Sequence, residues 1–144
     1  EISECLVGSE MCIRDRDNLQ ETARFLQQFS RLHGCIVAVT GAIDLVTDGE
    51  QVYALRNGRP EMGQITGTGC QLSGLMTAYL AANPEKPLEA AVTAVAAMGV
   101  AGEAAFVHMK EYEGNSTYRN RIIDAICHMD GKTLENLAKV ERIV

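Results

Sequence analysis

The chain has 144 residues, a formal net charge of −6 and 47% apolar residues. That is enough for one domain with its own core, and the acidic balance argues against a nucleic-acid binder, which carries a basic patch. The five cysteines are scattered without a CxxC pair, so neither a zinc site nor a thioredoxin-type motif is supported. No apolar run reads as a bilayer span, and an odd cysteine count without a signal peptide reads as cytoplasmic.

The opening, "EISECLVGSEMCIRDRD", has no periodicity of either kind and holds Cys5 and Cys12. It lacks the basic start and long apolar centre of a secretory signal. It resembles a peptide that recurs where adapter sequence is translated at the ends of sequencing reads. Residues 1–16 are therefore read as a non-native or disordered segment that should pack poorly, with native sequence missing before Asp17.

The elements then follow in order. Leu19, Ala23, Leu26, Phe29 and Leu32 recur at helical spacing over 19–33, and Gly34 is placed to cap the helix. "CIVAVTG" is a short apolar run rich in β-branched residues, expected to be a strand at 35–40 buried on both faces. "DLVTDGEQVYALRNG" reads as a hairpin turning at Asp48-Gly49, with a second turn at Asn57-Gly58. Leu72, Leu75, Met76, Tyr79 and Leu80 form one helical stripe. Pro87 opens the next helix, about 87–110, almost uniformly apolar and therefore expected in the core. A further helix capped by Asn115 or Ser116 carries Tyr118, Ile122, Ala125, Ile126 and Met129 and ends at Gly131. Thr133 starts a last short one. Helix, glycine, buried strand is the rhythm of a layered α/β fold.

"GQITGTGCQLSGL" raises the functional question. Gly67-Thr68-Gly69-Cys70 lies directly before the helical stripe, so the helix begins at or near Cys70. First-turn N–H groups have no partner inside a helix, and the macrodipole adds partial positive charge. An anion suits such a place, and glycines remove the Cβ atoms that would hold a phosphate away. The spacing matches neither a Walker A loop nor the dinucleotide fingerprint. A plain glycine-rich helix start, with the cysteine as a small apolar side chain, fits the same residues.

"VAVTGAIDLVTDGEQVYALRNG", then "ITGTGCQLSGLMTAYLA", then "PLEAAVTAVAAMGVAGEAA" together resemble the C-terminal half of the hydroxyethylthiazole kinases, in the ribokinase-like superfamily. The order and separation of these segments are more specific than any one of them. The resemblance implies a layered ribokinase-like fold, truncated at its N-terminal side, with a central, mainly parallel sheet and flanking helices. It implies transfer of phosphate from ATP, with Mg2+, to the hydroxyl of 4-methyl-5-(2-hydroxyethyl)thiazole, a salvage step toward thiamine diphosphate. By position, Thr40 matches an ATP contact and Gly67 a substrate contact. Gly67, Thr68, Gly69 and Cys70 match the anion hole. Cys70 stands where related kinases place an aspartate as catalytic base. The resemblance also implies a homotrimer with sites between subunits, and no nucleic-acid or membrane partner.

The family's second ATP contact, an arginine, and a methionine that touches the thiazole have no counterpart here. Arg14, Arg16 and Met11 lie in the opening segment and are not assigned those roles. Isolated His33, His108 and His128 give no metal-ligand spacing. Asp48 reads as a turn residue, and Asp44 as turn or surface in preference to a nucleotide contact. Cys35 and Cys127 read as inert residues on apolar faces. Competing readings are a hydroxymethylpyrimidine kinase, a dehydratase repairing hydrated nicotinamide cofactors, and an inactive fragment. The two enzymes normally carry aspartate at the position of Cys70.

Overall fold

The computed structural model describes residues 16–144; the expected poor packing of the opening segment lies outside them. The elements run α1 (Arg16–His33), β1 (Val37–Val39), β2 (Asp44–Thr47), β3 (Val52–Leu55), a 3-10 turn (Pro60–Gln64), α2 (Thr68–Ala82), α3 (Pro87–Val107), α4 (Asn115–Cys127), α5 (Gly131–Leu137) and β4 (Val140–Arg142).

The fold is layered α/β, as expected, but its sheet is not mainly parallel. Among the described residues one four-stranded sheet runs β1-β2-β3-β4, and all three pairings are antiparallel. The connections explain this. Residues 40–43 join β1 to β2 and residues 48–51 join β2 to β3, and neither is long enough for the crossover that a parallel pair needs. The turn at 48–51 is held by Asp48, whose Oδ1 accepts the N–H groups of Glu50 and Gln51, each at 2.9 Å. Gly49 supplies the positive φ of 95° that this turn requires.

Side-chain alternation along the strands divides the core between two faces. Leu45, Val52 and Ala54 pack with Leu19, Ala23 and Leu26 of α1. Val46 and Leu55 face the other way, onto Leu88, Ala91 and Val95 of α3. A third cluster joins Ile65, Met98, Ala101, Ala105, Tyr118 and Ile122. The strand expected at 35–40 is shorter and less covered than its sequence suggests. Cys35, Val37 and Val39 turn toward α1 while Ile36 and Ala38 turn toward α3, yet only Val37 is buried. β1 ends the sheet among the described residues, with β2 as its single partner.

α3 is the core helix predicted, and it stops at Val107. By length and apolarity it could cross a bilayer, against the reading of the bare sequence, but most of it is buried in the fold. Its small residues set how closely neighbours approach. A Cβ on Gly102 would overlap the Met62 side chain, and one on Gly99 would fall 2.6 Å from Asn57 Cβ and 2.9 Å from its carbonyl carbon. α4 starts after Gly114 with no side-chain cap; Asn115 instead donates to Gln64 O at 2.9 Å. α4 ends at Cys127, and Gly131 opens α5 rather than closing α4, because Asp130 caps that helix through the Thr133 N–H at 2.7 Å.

These contacts predict opposite outcomes for two glycine-to-alanine changes. Gly99→Ala must displace main chain at Asn57 and should cost about 1–3 kcal/mol. Gly74→Ala, whose Cβ meets nothing within 4 Å, should be neutral or gain up to about 1 kcal/mol from helix propensity. Urea midpoints of the two variants measure this; equal midpoints would contradict the packing described here.

Candidate functional site

The chain changes direction twice on one side of the sheet, and the two changes face each other. After β1 it turns through Thr40, Gly41 and Ala42. After the 3-10 turn it enters α2 through Gly67. Between them lies a cleft of about 560 Å³ whose lining includes Thr40, Gly41, Asp44, Asn57, Gly58, Arg59, Thr68 and Gly69.

The α2 wall is built from backbone. Gly67 is the N-cap, with φ 100° and ψ 2°, and no side chain caps the helix. That positive φ makes glycine the natural residue at 67. The first closed bond of the helix runs from the Gln71 N–H to Gly67 O at 2.9 Å. The N–H groups of Thr68, Gly69 and Cys70 precede it and have no acceptor within the helix. The Thr68 hydroxyl bonds back only loosely, to Ile65 O at 3.4 Å and Met62 O at 3.5 Å. A Cβ built on Gly67 or Gly69 meets no atom within 4 Å. Donors, helix dipole and open space therefore coincide, and this combination suits an anion.

On the opposite wall, Asp44 Oδ1 accepts the Gly41 N–H at 2.8 Å and ties the turn after β1 to the start of β2. Burial pushes the Asp44 carboxyl up to about 6, against the opposing effect of that hydrogen bond. Asn57 and Gly58 form the base. The Gly58 N–H donates to Glu103 Oε1 at 3.0 Å. The Asn57 amide donates to Leu137 O at 3.0 Å and accepts the Lys139 N–H at 2.6 Å. At the rim, Arg59 pairs with Glu61 at 2.9 Å, and this contact holds the Glu61 carboxyl below its usual range.

Thr40, Thr68 and Gly69, three of the residues singled out by sequence, thus line one cleft. Gly67 and Cys70 do not line it: Gly67 caps the helix and Cys70 is the third residue of α2, exposed to solvent. Cys127, expected on an apolar face, is exposed as well. Asp44 lines the cleft, where the sequence favoured a turn or surface role. Arg59 and Glu103 carried no local signal. Among the described residues no three His, Cys, Asp or Glu side chains gather to hold a metal ion, and Asp44 is the single carboxylate of the cleft lining.

The family described as the hydroxyethylthiazole kinase family matches residues 2–132. The hydroxyethylthiazole kinase of Clostridium acetobutylicum is 44% identical over 125 residues, covering 87% of this chain and 46% of its own length. That of Arabidopsis thaliana is 42% identical over 110 residues, covering 76% of this chain and 39% of its own length. A solved structure of a hydroxyethylthiazole kinase protein from Pyrococcus horikoshii OT3 superposes with a TM-score of 0.79 at 29% identity, covering 89% of this chain and 48% of that one. The chain spans about half the length of the curated relatives it matches.

The raised Asp44 carboxyl predicts a pH-dependent stability. Its pKa in the fold, about 6, exceeds the ordinary 3.8. The folded state therefore holds more protons than the unfolded state between those values, and this residue's contribution falls as pH rises through them. Asp44→Asn keeps an oxygen for the Gly41 N–H and removes the charge. Its melting temperature should exceed that of the parent at pH 7.5, with the gap closing toward pH 4. A gap that does not vary with pH would contradict the burial of this carboxylate.

Proposed function

The chain belongs to the hydroxyethylthiazole kinase family, and on that premise we propose that it carries the phosphoryl-transfer part of an ATP-dependent kinase acting on 4-methyl-5-(2-hydroxyethyl)thiazole in thiamine salvage. The supporting observation is the uncapped N-terminus of α2, with free first-turn donors and open space before it, on a cleft shared with Thr40.

In this reading the substrate hydroxyl oxygen attacks the terminal phosphorus of ATP. The bond to the bridging oxygen breaks, ADP leaves, and the hydroxyl proton passes to the Cys70 side chain in its thiolate form, leaving the thiol. Such a transfer needs positioning and electrostatic stabilisation more than covalent work. Charge that develops on the moving phosphoryl oxygens meets N–H groups of Thr68, Gly69 and Cys70, already oriented and without acceptors in the helix. Thr40 contacts the nucleotide and Gly67 the thiazole. Magnesium belongs to the proposal as a companion of the nucleotide phosphates.

A cytoplasmic homotrimer, with sites completed between subunits, is part of the same proposal. No residue of α2 is fully buried, which leaves part of that helix open to such contacts. Residues 17–144 are taken as the C-terminal part of the kinase domain and residues 1–16 as a non-native or disordered segment, although the family match itself extends forward to residue 2.

The test is ADP release with the thiazole alcohol as acceptor, using this chain together with the N-terminal half of a homologous kinase. Gly69→Val adds a branched side chain where the nucleotide's phosphates are to sit. Its φ is not in the left-handed region and its Cβ clashes with nothing in the protein, so the fold should survive. Phosphoryl oxygens held away from even one of these donors lose a contact whose removal costs about 3 kcal/mol, and turnover should drop at least a hundredfold at an unchanged melting temperature. Cys70→Asp should retain activity. Near-parental turnover in Gly69→Val would remove the anion hole, and the proposed function with it.

A further inference from the structure

The lining of the cleft opposes the charge of the whole. The chain carries a net −6, yet the cleft lining holds Arg56 and Arg59 against the single carboxylate of Asp44. The two arginines are held differently. Arg56 reaches away to Glu141 of β4 at 3.6 Å. Arg59 stands at the head of the 3-10 turn whose Met62 carbonyl lies against the Thr68 hydroxyl, and so on the same stretch that leads into α2.

The Arg59 guanidinium stacks over the Phe106 ring, 3.9 Å from its centroid. It donates through Nε and Nη2 to the two oxygens of Glu61 at 3.1 and 2.9 Å. The side chains of this pair remain 38% and 33% exposed. An ion pair with that much water contact is weak, so a stronger anion can displace Glu61. The aromatic platform meanwhile fixes the guanidinium plane, whichever anion it takes. The guanidinium fork that now spans two carboxylate oxygens also matches two oxygens of a phosphate.

We propose that Arg59 is this chain's own phosphate-binding cation: on arrival of a nucleoside triphosphate it leaves Glu61, stays on Phe106, and pairs with the terminal phosphates in front of α2. The inference rests on the kinase reading and adds to it a cation and a built-in competitor. In the free protein Glu61 holds the guanidinium fork that the phosphate would take, so the two members of the pair should affect affinity in opposite directions.

The experiment is titration of this chain, combined with the N-terminal half of a homologous kinase, with ATP and, separately, with adenosine, for the parent, Arg59→Ala and Glu61→Gln. Arg59→Ala should weaken ATP binding about tenfold or more, the effect of losing a charge-assisted hydrogen bond, and leave adenosine binding unchanged. Glu61→Gln should tighten ATP binding and leave adenosine unchanged. Circular dichroism confirms that each variant folds, and Glu61→Gln still decides the matter if Arg59→Ala does not. ATP binding that neither change moves, or that Glu61→Gln weakens, overturns the assignment of Arg59 while leaving the kinase reading intact. A parent chain that binds neither ATP nor adenosine overturns both.

Discussion

The cleft depends on one close approach, that of Asn57 to Gly99. Because Gly99 has no side chain, the loop after β3 can lie directly on α3, with no room for even a methyl group between them. One turn further along α3, Glu103 receives the Gly58 N–H, the Asn57 amide and the Lys139 ammonium. Asn57, buried, spends its remaining capacity on Leu137 O and the Lys139 N–H. A buried amide left unpaired would cost about 1–3 kcal/mol, so these bonds hold the loop, the core helix and the C-terminal strand as one unit. The loop leads into the 3-10 turn, and the turn leads into α2. A rigid base there suits the backbone-built anion site proposed at the start of α2.

The site is economical because main chain does most of the work. α2 contributes donors through its uncapped start, and Gly67 adopts the left-handed conformation that delivers the chain to that point. The facing turn is fixed by a single bond from Gly41 to Asp44. Asp44 brings some negative charge to a place suited to anions, and its raised pKa reflects burial away from water. Side chains at the rim, Arg59 above all, can exchange partners without disturbing the backbone, since the ion pair with Glu61 is partly solvated.

Much of this was legible in the residues alone. The stripe of Leu19, Ala23 and Leu26 marks α1, Asp48-Gly49 marks the hairpin turn, and the alanine-rich run from Pro87 marks the core helix. The glycine loop before Leu72 announces a helix N-terminus with room in front of it. What escaped was long-range. The sense of the sheet follows from short links at 40–43 and 48–51, whereas the family resemblance suggested parallel strands. β4 is three exposed residues, Val140 to Arg142, with no periodicity to find. Asp44 looks like a turn residue until β1 and β3 are placed on either side of β2. Contacts between positions as far apart as 57, 103 and 139 leave no trace in local spacing.

The central claim is that the start of α2 and the turn after β1 face one anionic ligand. The most direct measurement is a two-dimensional amide NMR titration of the isotope-labelled chain with a non-hydrolysable ATP analogue and magnesium. Amide shifts should concentrate at Thr68, Gly69, Cys70 and Gly41, and be much smaller for the nucleoside without phosphates. Shifts confined to other faces of the protein, or equal for nucleotide and nucleoside, would contradict the account.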